Sequence, residues 1–146
     1  MKVKECMSSN VVWVKPDSTV KEVAKLMQEE HVGCIPVCDN NKKVMGLITD
    51  RDLVLRTIAN SKCVETTPIS EVMTTKVHNV APDSEVSEAS KIMSAQQVRR
   101  IPVVESNQIV GMITVGDLAN NNEVNTSTVG GTVKGICDDD GGKNAE

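Results

Sequence analysis

The chain repeats itself, and no other property of the sequence narrows its possible folds as far. Met7 aligns with Met73, Val11 with Val77, Val14 with Val80, and Pro16-Asp17-Ser18 with Pro82-Asp83-Ser84, all 66 residues apart. The spacing continues through Val20/Val86, Glu22/Glu88, Lys25/Lys91, Met27/Met93, Val32/Val98 and Ile35-Pro36-Val37/Ile101-Pro102-Val103. One extra residue near Lys42 shortens it to 65, so Gly46-Leu47-Ile48-Thr49 through Asp52-Leu53 meets Gly111-Met112-Ile113-Thr114 through Asp117-Leu118. A single gap in a polar turn leaves two copies of one plan. Two copies are too few for a solenoid and suit a pseudo-symmetric pair.

Each copy reads strand, helix, strand, strand, helix, an α+β class. Val11-Val12-Trp13-Val14 is a β-branched run closed by Pro16, which predicts a short marginal strand. Asp17, Ser18 or Thr19 then caps a helix, and Thr19 with Glu22 fits a capping box. Val20, Val23, Ala24 and Met27 make one apolar stripe along it, matched by Val86, Ala89, Ser90 and Met93. Cys34 to Cys38 and Val44 to Ile48 form a hairpin about Asp39-Asn40-Asn41-Lys42. A second helix follows Thr49 to about Ala59. Residues 1–59 are thus the first repeat, 60–68 a polar linker ending in Pro68, 69–120 the second repeat, and 121–146 an acidic tail. That tail is expected to be flexible or ordered only by a neighbour. Asp138-Asp139-Asp140 lacks the alternating ligands and closing Glu of a calcium loop.

Composition removes several function classes. There is no Phe, no Tyr and one tryptophan, Trp13, so the aromatic platforms of base-stacking nucleic-acid binders are missing. The formal net charge is −4, most of it in the tail, and no basic stripe tracks a phosphate backbone. Met1-Lys2-Val3-Lys4-Glu5-Cys6 lacks a signal peptide's apolar run, and no segment is long enough to span a bilayer. Five cysteines without a Cys-x-x-Cys pair read as reduced thiols, and the expected location is the cytoplasm. No Ser-His-Asp set, Walker loop or zinc spacing is present, so neither a catalytic nor a metal site is expected.

Val11 to Pro16, the helix ending at Met27, Ile35-Pro36-Val37 and Gly46 to Leu53, each with its copy, resemble the cystathionine β-synthase (CBS) domain pair, or Bateman module. The resemblance covers residues 3 to about 120 and suggests a small stand-alone, bacterial-type protein. It implies two β-α-β-β-α repeats packed as a CBS pair, with related clefts between them. Such modules bind adenosine-containing ligands (AMP, ADP, ATP or S-adenosylmethionine), act as regulatory sensors without catalysis, require no further cofactor and commonly form homodimers.

The resemblance also gives the corners a role beyond capping. Thr49 and Asp52, like Thr114 and Asp117, make an ordinary helix start, with the acid at the positive end. In a ligand site each Asp would accept both ribose hydroxyls, and each Thr would help hold ribose or phosphate. Arg99 and Arg100 stand where the first repeat has Gly33 and Cys34. Basic residues there contact phosphates in the family, which assigns them to the nucleotide whose ribose sits on Asp52. Arg51, replaced by Gly116 in the second copy, is a weaker cation candidate. Cys34, Ile35, Pro36 and Ile101, Pro102 with Arg100 are expected walls for adenine, although Ile35 and Ile101 equally read as core. Val14 and Val80 occupy positions where family members often carry a hydroxyl. His31 and His78, unmatched between copies, read as helix-end or surface residues. Cys34 and Cys38, four apart on a strand, could form a thiol switch or be buried structural residues. The expected function is an adenine-nucleotide sensor that signals to an unknown partner protein. The alternatives are a ligand-free adaptor dimer with the tail as docking arm, and a thiol enzyme with dispensable aspartates.

Overall fold

The computed structural model describes residues 1–138. Residues 139–146, the end of the acidic tail with Asp139 and Asp140, lie outside the described residues. The chain falls into two compact units that cut across the sequence repeats. The first unit is Val12–Val77, and the second joins Met1–Val11 to the chain from His78 onward.

In the first unit, α1 (Val20–Glu30) starts at the expected capping box. The Glu22 N–H donates to Thr19 Oγ1 at 3.2 Å, and the Thr19 N–H donates to the Glu22 carboxylate at 3.1 Å. Val20, Val23 and Met27 turn inward onto Ile35, Val37, Ile48, Leu53, Ile69 and Val72. Ala24, included in the sequence stripe, is exposed. His31 ends α1 in the left-handed region at φ 54°, and Gln97 does the same for the second unit at φ 55°. A helix-end role thus accounts for His31.

The hairpins form as expected. β1 (Cys34–Cys38) pairs antiparallel with β2 (Val44–Thr49). Asp39 Oδ1 accepts from the N–H groups of Asn41 and Lys43 across the turn. In the second unit, β3 (Arg100–Glu105) pairs with β4 (Gln108–Thr114). Its two turn residues, Ser106 and Asn107, both have positive φ, the geometry that suits the twist of a two-residue hairpin.

Val11 to Val14 does not form the expected strand. Only Val14 bridges, in parallel to Val37, and Val80 bridges Val103 in the same way. Prolines block the ladder on both sides. The Val14 N–H donates to the Pro36 carbonyl at 3.0 Å, and the Cys38 N–H donates to the Val14 carbonyl at 2.9 Å. The next rung one way needs an N–H from Pro16 and the other way one from Pro36, and neither residue has one. Pro82 and Pro102 impose the same limit on Val80.

A further antiparallel bridge lines the other edge of each hairpin. Thr74 exchanges backbone hydrogen bonds with Leu47, and Ser8 exchanges them with Met112. Ser8 comes from the segment the sequence repeat assigns to the first copy, yet it completes the sheet of the second unit. Val3–Glu5, a 3₁₀ turn, anchors that segment: the Val3 N–H donates to the Ser84 carbonyl and the Val86 N–H to the Met1 carbonyl. The first unit repeats this geometry with Ile69–Glu71, where the Ile69 N–H donates to the Ser18 carbonyl and the Val20 N–H to the Thr67 carbonyl.

The second helices differ between units. After α2 (Asp50–Leu53) the first unit continues through a π turn, Val54–Ile58. In the second unit, α3 (Val86–Gln96) packs with the hairpin, and α4 (Val115–Asn120) stops earlier than its counterpart. The expectation of a flexible segment from residue 121 needs correction, because Thr126–Ile136 forms a helix, α5. Asn125 caps it, and Thr132 and Ile136 are buried against the unit. Val129, Thr132 and Ile136 share the docked face, while Val133 stays exposed, and the glycines between them hide that face from a propensity reading.

Candidate functional site

Each unit places one strand-to-helix corner beside the start of its hairpin. Thr49 is extended at the end of β2, and the Asp52 N–H donates to its Oγ1 at 3.1 Å. In return the Thr49 N–H donates to Asp52 Oδ2 at 3.0 Å. Thr114 and Asp117 repeat the exchange at 3.0 and 2.9 Å. The first helical N–H is also tied down: Asp50 donates to the Gly33 carbonyl at 2.9 Å and Val115 to the Arg99 carbonyl at 2.8 Å. Each corner is therefore a complete capping box before any ligand is considered. One carboxylate oxygen of each Asp is spent on the cap, and Oδ1 remains to be directed elsewhere.

The antiparallel register brings the expected residues together within each unit. Cys34 lies opposite Thr49, and Arg100 lies opposite Thr114. Thr49 is buried, while Thr114, Asp52 and Asp117 are half-buried, so neither Asp is turned fully into water. The Asp52 side chain is 15% exposed. Arg99 is exposed and Arg100 half-buried, both next to the Thr114–Asp117 corner of their own unit. Cys34 is half-buried, and Pro36 and Pro102 are buried. Ile35 and Ile101 are fully buried in the two cores, so their side chains serve packing.

Two residues at the first corner were not singled out from the sequence. Arg56 Nε lies 3.7 Å from Asp52 Oδ1, and its Nη1 donates to the Val72 carbonyl at 3.1 Å. Asp50 packs against Gly33, where an added Cβ would come 3.0 Å from its Oδ2. The signal for Arg56 was its i,i+4 spacing from Asp52. Arg51 is exposed. The corners thus differ in charge. The first carries Asp50, Asp52 and Arg56; the second has Val115, Asp117 and Asn121 at those positions and adds Arg99 and Arg100.

None of the five cysteines is in a disulfide. Burial, helped by the Asp39 charge, pushes the Cys38 thiol up to about 11. Burial and the Asp117 carboxylate raise Cys6, whose Sγ donates to the Asp117 carbonyl at 3.5 Å. Cys63 is lowered by the Thr66 hydroxyl, and it is exposed in the link between the repeats, outside both corners. Among the described residues no group of three or more His, Cys, Asp or Glu side chains could hold a metal ion. No helix among them is long and apolar enough to cross a membrane.

Comparison with known proteins matches this architecture. A family model described as the CBS domain matches residues 3–57 and 69–122. The CBS domain-containing protein YhcV of Bacillus subtilis (strain 168) is 41% identical over 125 residues, 86% of this chain and 88% of that one. The CBS domain protein TA0289 of Thermoplasma acidophilum superposes with a TM-score of 0.79 at 27% identity, covering 92% of this chain and 75% of that chain. The CBS domain pair of protein MJ0100, solved in complex with 5′-methylthioadenosine and S-adenosyl-L-methionine, gives a TM-score of 0.73 at 26% identity. That match covers 82% of this chain and 97% of that chain.

Proposed function

The chain belongs to the CBS domain family, and from that premise we propose that it is a regulatory sensor of an adenosine-containing ligand. AMP, ADP, ATP and S-adenosylmethionine are the ligands in question, and the bound state is read by a partner protein. The module has no catalysis of its own and works in the cytoplasm. The duplicated corner carries this reading: Thr49–Asp52 and Thr114–Asp117 hold the same geometry in both units, and each leaves a half-buried carboxylate oxygen beyond its cap. A carboxylate suits a vicinal diol as donor and repels a phosphate, so Asp52 and Asp117 take the ribose and the threonines flank it. Arg99 and Arg100 take the phosphates. Arg100 lies opposite Thr114 and the Arg99 carbonyl accepts from the Val115 N–H, which supports a nucleotide whose ribose falls on Asp117, in their own unit. Cys34, Pro36 and Pro102 flank the adenine, with Ile35 and Ile101 supporting from behind. The complex of the MJ0100 pair with two adenosine compounds supports the ligand class.

A thermal-shift screen of the four ligands tests this. At least one raises Tm in the wild type, since a ligand at 100 times its Kd adds about 2.7 kcal/mol. Asp52→Ala with Asp117→Ala abolishes the shift. Arg99→Ala with Arg100→Ala weakens the phosphorylated ligands more than S-adenosylmethionine. No shift with any of the four defeats the reading.

Two observations favour a second reading, a ligand-free adaptor dimer. Both corners are already closed by their own hydrogen bonds, and Leu55 and Ile58 on the π turn are 48% and 66% exposed. In that case the chain is a homodimer by light scattering, Leu55→Glu with Ile58→Glu makes it monomeric, and removal of residues 121–146 loses the partner while every ligand is inert.

A further inference from the structure

The C-terminal helix α5 is an addition to a unit that is complete without it. The sequence repeat ends near Ala119, and the first unit builds the same hairpin and helices with no counterpart of α5 among the described residues. In the second unit α5 lies along α3. Thr132 Oγ1 donates to the Thr128 carbonyl at 2.6 Å, so Ser90 is the donor in the 2.6 Å bond between the two hydroxyls. A Cβ on Gly135 would come within 2.5 Å of the Ser94 Cβ, so the two helices cross there in close contact. The Gln97 carboxamide donates to the Asp138 carbonyl just past the end of α5. Ile136 enters the core cluster beside Leu118 and Met93. In the first unit the positions matching Ser90 and Ser94 are Ala24 and Gln28, and both are exposed.

The helix is also weaker than its docking requires. Gly135 is needed for the crossing, but a Cβ on Gly130 or Gly131 would meet nothing within 4 Å. Two mid-helix glycines that packing does not ask for lower the helix's own stability. Its seam rests on a hydroxyl pair, one close crossing, the buried Ile136 and the half-buried Val129. The preceding Asn120-Asn121-Asn122-Glu123 stretch is polar and mostly exposed, so it can lengthen or swing without uncovering a core.

We propose that α5 is a reversibly docked strap, which leaves α3 as one piece while the rest of the second unit stays folded. When it leaves, the Ser90–Ser94 seam and the Leu118 end of the core open to solvent. When it docks, it closes both. Gly130 and Gly131 set the balance between the two states.

Amide hydrogen exchange of the full-length protein tests the strap. Amides of residues 126–136 exchange at least tenfold faster than those of α3 and β3–β4. Gly130→Ala with Gly131→Ala slows exchange in α5 about tenfold and leaves β3–β4 unchanged. Gly135→Ala, which drives a methyl into Ser94, brings α5 close to the rate of an unfolded segment while β3–β4 keep their protection. Equal protection of α5 and β3–β4 in the wild type overturns the proposal. So does loss of protection across the whole unit in Gly135→Ala, or no change in α5 with the two alanines.

Discussion

Gly46 and Gly111 open the most repeated stretch of the sequence, and a crossing backbone dictates both. A Cβ on Gly46 would sit 2.7 Å from the Thr74 carbonyl oxygen, and one on Gly111 would sit 2.9 Å from that of Ser8. The close crossing of these carbonyls accounts for both glycines as part of the sheet edge. Gly46→Ala or Gly111→Ala should each cost about 1–3 kcal/mol by urea denaturation, because the obstacle is backbone and cannot swing aside. The thiols can be ranked at the same scale. The Cys38 thiol, pushed up to about 11, stays protonated at pH 8 and is buried. Cys63 is exposed and lowered, so iodoacetamide should label it first and Cys38 last, as peptide mapping of a time course would show. A fast-reacting Cys38 would revive the thiol switch.

The elements show why some of the fold was readable and some was not. Thr19, Glu22 and the Val20/Val23/Met27 stripe specify α1 locally, so the sequence is enough. The Val11–Val14 run has strand composition, and Pro16 blocks its pairing locally, but the other block is Pro36 in the partner strand, which no local window contains. The π turn is equally non-local. Thr57 is fully buried there, and its hydroxyl has no hydrogen-bond partner among the described residues. Thr57→Val should therefore hold or raise stability by up to about 1 kcal/mol in chemical denaturation, since it removes an unpaired buried polar group at nearly constant volume. The first residues are held by backbone bonds and the buried Val3, and charge pairs add to these. Glu85 accepts from Lys2 and from the N-terminal ammonium, and these bonds hold its carboxyl below the ordinary value of 4.5. A depressed acid stabilises the fold above its ordinary value, and the contribution fades as pH falls through the depressed one. Lys2, raised by the same pair, keeps its share until the solution is more alkaline than 10.5. Glu85→Gln should lower Tm slightly at pH 7, and melting curves of mutant and wild type should converge towards pH 3.

For the whole molecule, duplication carried the α+β class and the family, because two matched sets of strands and helices leave few other arrangements. It could not show that Met1–Val11 completes the second unit while residues up to Val77 complete the first, since the two copies offer nearly identical edges. The corners were legible as residue types. Their partners Arg56 and Asp50 were not, because nothing in the second copy matches them. What stays decisive is whether the second carboxylate oxygen at each corner, the one outside the cap, binds a sugar. Isothermal titration of the protein with AMP and with its 2′,3′-dideoxy analogue measures that contact alone, if AMP is the ligand the thermal screen selects; otherwise the same pair is made from the selected compound. Loss of both ribose hydroxyls should weaken binding at least tenfold in the wild type and have little further effect in Asp52→Ala with Asp117→Ala. Equal affinity for the two compounds in the wild type would contradict the account.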